Sequence, residues 1–266
     1  MLNRTRLGVV GWPVAHSRSP QMQNAALRAT GLGSWRYQLL PIPPELFAET
    51  VRSLPAAGFR GVNVTVPHKE AALAIADRVS ERAGAIGAAN TLVFEDHVIH
   101  AENTDAPALI AALRFPIRER TAVVLGAGGS ARAAVWALLA EGAAEVRVWN
   151  RTSERARTLC DELGATPVTE ITSADLLVNC TAVGLGAERG YFKQLPIGAD
   201  DITMFDCVVD LVYSHAETPL VRAAKTLGVS VVDGLELLVG QGALSFAQFT
   251  GRPAPIEAMR KAVQLR

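Results

Sequence analysis

The stretch TAVVLGAGGSARAAVWALLAEGAAEVRVWNRT, residues 121–152, decides the fold. Its apolar run Ala122 to Leu125 has the length of a buried strand and stops at Gly126. A helical pattern then opens through Ala127, Gly128, Gly129, Ser130 and Ala131, and a second strand, Glu145 to Trp149, closes on Asn150, Arg151 and Thr152. Strand, glycine turn, helix and strand in this order form a cradle for a phosphorylated dinucleotide. Gly126 permits the tight turn and Gly128 lets the backbone approach the pyrophosphate. Small Ala131 allows the helix to pack on the strand, so that its free N–H groups and positive dipole end face the anion.

The end of the second strand bears on which dinucleotide binds. An NAD site usually places Asp or Glu there to bond the ribose 2′-hydroxyl, whereas this chain has Asn150, Arg151 and Thr152, with Arg155 one turn further on. No carboxylate stands at that point to repel a 2′-phosphate. Arg151 can fork onto the phosphate and Asn150 or Thr152 can donate to it, which favours NADP. A plainer reading is compatible with this one: Thr152 or Ser153 caps a helix over Glu154 to Leu163, and Arg151 is a solvated charge.

Working outward, 266 residues allow one or two domains with a large core. Lys and Arg number 26, as do Asp and Glu, and the zero net charge gives a nucleic acid no electrostatic footprint. Arg114, Arg118 and Arg120 are interrupted by Pro116 and Glu119 and read as a solvated linker. Cys160, Cys180 and Cys207 are odd in number and too far apart for a metal knuckle or redox pair, which suits reduced thiols in a cytoplasmic protein. The first residues have too short an apolar run for a signal peptide, and no later run approaches a membrane span.

Strand-like runs alternate with helical ones through the first half: Leu7 to Trp12 then Pro20 to Thr30, Trp35 to Leu40 then Pro44 to Leu54, Val62 to Val66 then His68 to Asp77. This alternation predicts an open, largely parallel α/β sheet. Two strands, Thr91 to Phe94 and Val98 to Ala101, follow around a turn at Glu95-Asp96, and then a helix, Pro107 to Leu113. Residues 114–120, RFPIRER, break the pattern, and a domain junction is expected in that region. Leu176 to Cys180, Met204 to Val208 and Val229 to Val232 read as strands of a second sheet, and the chain from Leu235 onward as helix. His97 and His100 resemble a metal pair, but three apart on a strand they face opposite ways, so no metal site is expected.

Polar residues that follow strands in the first half are candidates for chemistry, because open α/β sheets bind ligands there. Lys69 falls in the first turn of a helix, whose positive end disfavours the ammonium form and so suits a proton-exchanging group. The alternative is an exposed lysine paired with Glu70 or Glu81. Asp105 precedes a helix beginning Ala106-Pro107, and N-capping alone would explain it. If the two strand ends are neighbours, its carboxylate would lie beside Lys69. The hydroxyls of Ser17 and Ser19 could bind a carboxylate, or Ser19 could simply cap the helix begun by Pro20.

Taken together, AHSRSP (15–20), GVNVTVPHKEAA (61–72), IGAANTL (86–92), ENTD (102–105), GAGGSARA (126–133), NRTSERA (150–156), DLVY (210–213) and DGLELLVGQGALSF (233–246) make the chain resemble the shikimate dehydrogenases over nearly its whole length. The resemblance implies two open α/β domains: a substrate domain, residues 1–105 with 236–266, and a Rossmann-type NADP domain, residues 106–235. The C-terminal helices would return to the substrate domain. It implies that Ser17 and Ser19 hold a substrate carboxylate and that Thr65, Lys69, Asn90, Asp105 and Gln241 hold ring hydroxyls, with Tyr213 nearby. Lys69 and Asp105 match the catalytic dyad. The implied reaction is reversible reduction of 3-dehydroshikimate to shikimate with NADPH, by a cytoplasmic monomer or homodimer whose partners are small molecules.

The chain departs from the family pattern at Ala106 and Ala108, where glycines are common, and at Ser214-His215, where Asn-Pro is usual. Those changes leave open a paralogue acting on quinate or an amino-substituted ring. A non-catalytic binding protein for such metabolites is a third reading, disfavoured by the intact dyad. Glutamyl-tRNA reductase, which shares an NRT-like strand end, is excluded because its nucleophilic cysteine has no counterpart before Cys160.

Overall fold

The computed structural model describes residues 5–185, 190–213 and 217–264. Ser214 and His215, two of the departures noted above, lie outside them. The chain divides into two compact units, Met1–Ala108 with Leu238–Arg266, and Leu109–Leu237.

The first unit contains β1 (Arg6–Gly11), α1 (Ser19–Ala29), β2 (Arg36–Pro41), α2 (Phe47–Ser53), β3 (Phe59–Val64), α3 (Lys69–Ala74), β4 (Arg78–Val79), α4 (Glu81–Ile86), β5 (Thr91–Glu95) and β6 (Val98–Glu102). Its six strands are ordered β2-β1-β3-β5-β6-β4. β1 runs parallel to β2 and β3, but β5 is antiparallel to β3 and to β6. The sheet is therefore mixed, where alternation along the chain predicts a largely parallel one. The cause is a hairpin turn at Asp96-His97, not Glu95-Asp96. Both residues have positive φ, 49° and 67°, the geometry whose twist matches paired antiparallel strands. His97 thus sits in the turn and only His100 on a strand. Phe47, Val51, Phe59, Val62, Leu92 and Phe94 pack on one side of this sheet.

Other local readings shift as well. Residues 44–54 form a short tight helix, Pro44–Leu46, followed by α2. The helix expected over 68–77 stops at Ala74 to leave room for β4.

The second unit contributes β7 (Thr121–Leu125), α6 (Gly129–Ala140), β8 (Glu145–Trp149), α7 (Ser153–Leu163), β9 (Thr166–Pro167), β10 (Ala174–Asn179), β11 (Phe205–Asp210), α8 (Pro219–Thr226) and β12 (Ser230–Val232). Helices α5 (Asp105–Ala112) and α9 (Gly234–Thr250) each span a boundary between the units, and α10 (Ile256–Val263) ends the fold. All neighbouring strands of the second sheet are parallel, in the order β12-β11-β10-β7-β8-β9. Counted from β7 this is the doubly wound order 3-2-1-4-5-6 read from the other edge. Strands buried on both faces explain the unbroken apolar runs. In residues 114–120 Arg114 and Arg118 are exposed, as a solvated linker requires, but Ile117 is buried in this unit's core, and Arg120 lies over Phe115 and bonds Asp175.

Candidate active site

Strand direction gathers the polar residues of the first unit. The loops after β1 and β3 lie side by side, joined by Thr65 N to Val10 O (2.8 Å) and Trp12 N to Val66 O (3.0 Å). Because β5 is reversed, its start lies beside the end of β3. Val64 N donates to Asn90 O (2.8 Å), and Asn90 N to Glu102 O (3.1 Å) at the end of β6. The segments carrying Ser17 and Ser19, Thr65 and Lys69, Asn90, and Asp105 therefore share one edge of one sheet.

At that edge Lys69 Nζ donates to Asp105 Oδ2 at 2.7 Å, and Asn90 Nδ2 donates to Asp105 Oδ1 at 2.8 Å. Lys69 is only 9% exposed, which removes the reading of an exposed surface lysine. A pair so placed is stable only when the remaining lone pairs are hydrogen-bonded, and Asn90 supplies that bond. Two features set the position of Lys69. Its carbonyl accepts from Ala89 N at 2.9 Å, and the preceding His68 is buried, stacked on Phe47 at 4.5 Å with its Nε2 2.7 Å from Ile42 O. Burial holds the His68 imidazole below its ordinary pKa, against the pull of the Ile42 bond. The neutral ring donates, since a carbonyl only accepts.

Asp105 is released from capping by a residue the sequence reading missed. Asn103 Oδ1 accepts from Asp105 N (3.0 Å) and Ala106 N (3.2 Å), so Asn103 caps the start of α5 and the Asp105 carboxylate points to Lys69. Further missed residues lie beneath the pair. Asn63 Nδ2 donates to Ser245 Oγ (2.8 Å), Tyr37 Oη donates to Asn63 Oδ1 (2.8 Å), and Thr104 N donates to Asn90 Oδ1 (2.8 Å). All are buried. The available signal was a polar residue inside an apolar strand, as Asn63 is between Val62 and Val64.

Gln241 lies on α9, 3.5 Å from Asn90 Nδ2 through its Oε1, while its Nε2 donates to Leu238 O at 2.7 Å. Ser245, one turn later, donates to Gln241 O at 2.9 Å. The structure thus brings together Lys69, Asp105, Asn90 and Gln241. Ser19 is buried as the first residue of α1 and does not cap it; instead Ser17 Oγ accepts from Ser19 N at 3.3 Å. Thr65 is half-buried, with its methyl group against Gly11, where a Cβ would come within 2.4 Å. Ala106 and Ala108 are buried, and a Cβ on Gly240 would lie 3.3 Å from that of Ala108. Tyr213 belongs to the second unit, half-buried just after β11.

In the second unit the strand order reverses its progression between β7 and β10, and the crevice beyond their carboxyl ends is where such sheets take ligands. Gly126 turns the chain there with φ +108°, its N–H on Trp149 O at 2.7 Å. A Cβ on it would lie 3.2 Å from the Cys180 carbonyl, so no other residue fits without strain. Gly128 precedes the first turn of α6, and a Cβ there would meet no atom within 4 Å, so the main chain faces open space. Ala127 and Ala131 are buried, Ser130 is half-buried, and the first turn of α6 holds no acidic residue. These features fit an anionic pyrophosphate at the helix N-terminus.

After β8, Asn150 Nδ2 bonds Thr152 O at 2.8 Å, and Arg151, Thr152 and Arg155 are exposed. Thr152 occupies the N-cap position of α7 without a side-chain capping bond, so the purely structural reading of that residue is not realised. Among the described residues, no group of three His, Cys, Asp or Glu could hold a metal ion, and no helix is long and apolar enough to cross a membrane.

Known proteins resemble the chain in sequence and fold. Residues 9–92 match the shikimate dehydrogenase substrate binding domain, residues 109–183 the shikimate / quinate 5-dehydrogenase family, and residues 234–264 the shikimate 5'-dehydrogenase C-terminal domain. A shikimate dehydrogenase (NADP(+)) of Anaeromyxobacter sp. (strain K) is 43% identical over 279 residues, covering 99% of this chain and 97% of the relative. That of Paracoccus denitrificans (strain Pd 1222) is 41% identical over 271 residues, covering 96% and 94%. The shikimate 5-dehydrogenase of Thermus thermophilus, solved in complex with NADP(H) and shikimate, superposes with a TM-score of 0.85 at 41% identity, covering 97% of this chain and 98% of that one. Identity at this level across the whole length places the chain in the shikimate dehydrogenase family.

Proposed function

We propose that the chain is an enzyme that reversibly reduces 3-dehydroshikimate to shikimate with NADPH, a step toward aromatic amino acids. The observation that carries this reading is the Lys69–Asp105 pair at 2.7 Å, its lysine buried and its aspartate half-buried, with the second carboxylate oxygen fixed by Asn90. In this reading residues 1–105 with 236–266 bind substrate and residues 106–235 bind the nucleotide. Ser17 and Ser19 hold the substrate carboxylate, and Thr65, Asn90 and Gln241 take ring hydroxyls, with Tyr213 as a further contact. Gly126, Ala127, Gly128, Gly129, Ser130 and Ala131 cradle the pyrophosphate of NADP, and Asn150, Arg151, Thr152 and Arg155 receive its 2′-phosphate.

The bound nicotinamide supplies or accepts the hydride. Lys69 serves the oxygen on which charge develops: its Nζ gives that oxygen a proton in reduction and takes one back in oxidation. Asp105 holds the Nζ in place and accepts from the neighbouring hydroxyl. The protein works as a cytoplasmic monomer or homodimer on small molecules.

A second reading, quinate as the better substrate, draws on the family description that joins both acids and on Ala106 and Ala108. Against it, both alanines pack inside the first unit. Quinate also carries an additional hydroxyl that a pocket shaped for shikimate leaves unpaired, at about 1–3 kcal/mol. Purified protein offered shikimate, quinate or aminoshikimate, each with NADP+ or NAD+, tests both readings. The expected result is NADP+-dependent oxidation of shikimate, at least about tenfold ahead of quinate in kcat/KM. Equal values for the two acids would favour the paralogue, and no turnover would favour a binding protein.

A further inference from the structure

One buried carboxylate plays no part in the chemistry above. β10 ends at Asn179 and β11 at Asp210, directly paired and both fully buried. Asp210 takes three donors from three segments: Asn179 Nδ2 (2.9 Å) and Val212 N (3.1 Å) on Oδ1, and Thr218 Oγ1 (2.6 Å) on Oδ2. Thr218 in turn accepts from Val221 N at 3.2 Å and caps α8. On the other side, Asn179 Oδ1 accepts from both N (3.1 Å) and Oγ1 (2.7 Å) of Thr181, and Thr181 Oγ1 accepts from Val183 N (3.1 Å). The backbone so held is the wall of the glycine turn. A Cβ on Gly126 would lie 3.2 Å from the Cys180 carbonyl and 3.3 Å from Thr181 N.

Burying a carboxylate is costly, and packing alone would be served as well by an apolar side chain. Burial pushes the Asp210 carboxyl up to about 6, with Asp233 adding to the rise and the Thr218, Val212 and Asn179 donors opposing it. Tyr191, buried on the same cluster, has its phenol pushed up by burial and by Asp210. Three strong donors from separate segments converge on the group, which is how a charge fixes the geometry of chain that has no ladder of its own.

We infer that Asp210 is a positioning residue for the dinucleotide: acting through Asn179 and Thr218, it holds Cys180–Val183 and Leu211–Val212 in the shape that the glycine turn at Gly126 requires. The inference rests on the reading of this unit as the NADP-binding one.

Calorimetric binding of NADP+ and of shikimate to the full chain, alongside KM and kcat, tests it in Asp210→Asn, Thr218→Val and Thr218→Ser. Asp210→Asn and Thr218→Val are expected to weaken NADP+ about tenfold, the scale of one bond to a charged group, while shikimate affinity stays unchanged. Thr218→Ser, which keeps the hydroxyl, restores NADP+ affinity. Thr218→Val gives the answer should Asp210→Asn fail to fold. Unchanged NADP+ affinity in Thr218→Val, equal loss for both ligands, or no rescue by serine would overturn the positioning role. Absence of NADP+ binding in the unaltered chain would overturn the nucleotide reading and this inference with it.

Discussion

The two units set out their functional groups by opposite means. In the first, side chains hold side chains: Lys69 donates to Asp105, Asn90 donates to Asp105, and Asn90 Nδ2 also donates to Thr104 Oγ1 at 2.9 Å, all at one edge of a mixed sheet. In the second, the main chain does the holding, through the Gly126 turn and the open N-terminus of α6, and the charged residue Arg151 stands exposed. The difference teaches where a substitution should be felt. A network of satisfied side chains fails as a unit and should be read in turnover. A cradle of backbone and surface charge should be read in cofactor affinity and choice.

The largest expected effect is on the first side of the comparison. Lys69→Ala should lower kcat by about 10²–10⁴-fold, the usual worth of a positioned proton-transfer group, while shikimate affinity falls far less. Steady-state kinetics with calorimetric binding would show it, and near-normal turnover would reduce Lys69 to a structural residue. Next comes the cofactor side. Arg151→Ala should raise KM for NADP+ roughly tenfold to a hundredfold, since a charge-assisted bond is worth about 1.5–3 kcal/mol. KM for NAD+ should barely move. An equal change for both cofactors would assign Arg151 to the fold.

A backbone-built cradle should also resist the smallest side chain. Gly126→Ala forces φ +108° on a residue with a Cβ and presses it on the Cys180 carbonyl, so a loss of about 1–3 kcal/mol in stability is expected from denaturant titration. An unchanged midpoint would mean that the turn relaxes and that its glycine is not required.

The smallest effect is one of pH, and it separates two carboxylates of the second unit. The Asp175 carboxyl is held at about 2 by the Thr121 N–H and the Arg120 guanidinium. Its contribution to stability is therefore present above the ordinary value of 3.8 and is lost as pH falls toward about 2. Asp210, raised to about 6, has the opposite sign: stability falls as pH rises from 3.8 to about 6. Asp175→Asn should thus be destabilising at neutral pH and converge on the unaltered chain in acid, whereas Asp210→Asn should lose most in acid and least above about pH 6. Parallel stability curves for the two variants would contradict both assignments.

The same contrast governs what could be seen without coordinates. The glycine turn and the unit around it were legible because their requirements are local: a positive φ at Gly126, an open backbone at Gly128, and the end of β8 at Trp149 all lie within one strand–helix–strand unit. Lys69 and Asp105 were visible as residues, but their contact depends on the reversal of β5, a pairing that a separation of 36 positions does not encode. Asn63 and Ser245 left only a faint signal, for another reason. Each lies within an otherwise apolar run, where hydrophobic periodicity registers a polar residue only as noise. β4 and β9, two residues each, are too short to carry any period. Asn103 was hidden by Asp105, which is an equally good capping residue by type; only the geometry assigns the cap to one and the carboxylate facing Lys69 to the other.

The central claim is that Lys69 and Asp105 act as one device, and a double-mutant cycle in kcat tests it most directly. With Lys69→Ala, Asp105→Ala and the double variant assayed at saturating shikimate and NADP+, the double variant should turn over no more slowly than Lys69→Ala alone, because removing either partner disables the pair. Losses that multiply, so that the double variant falls by the product of the two single effects, would contradict it.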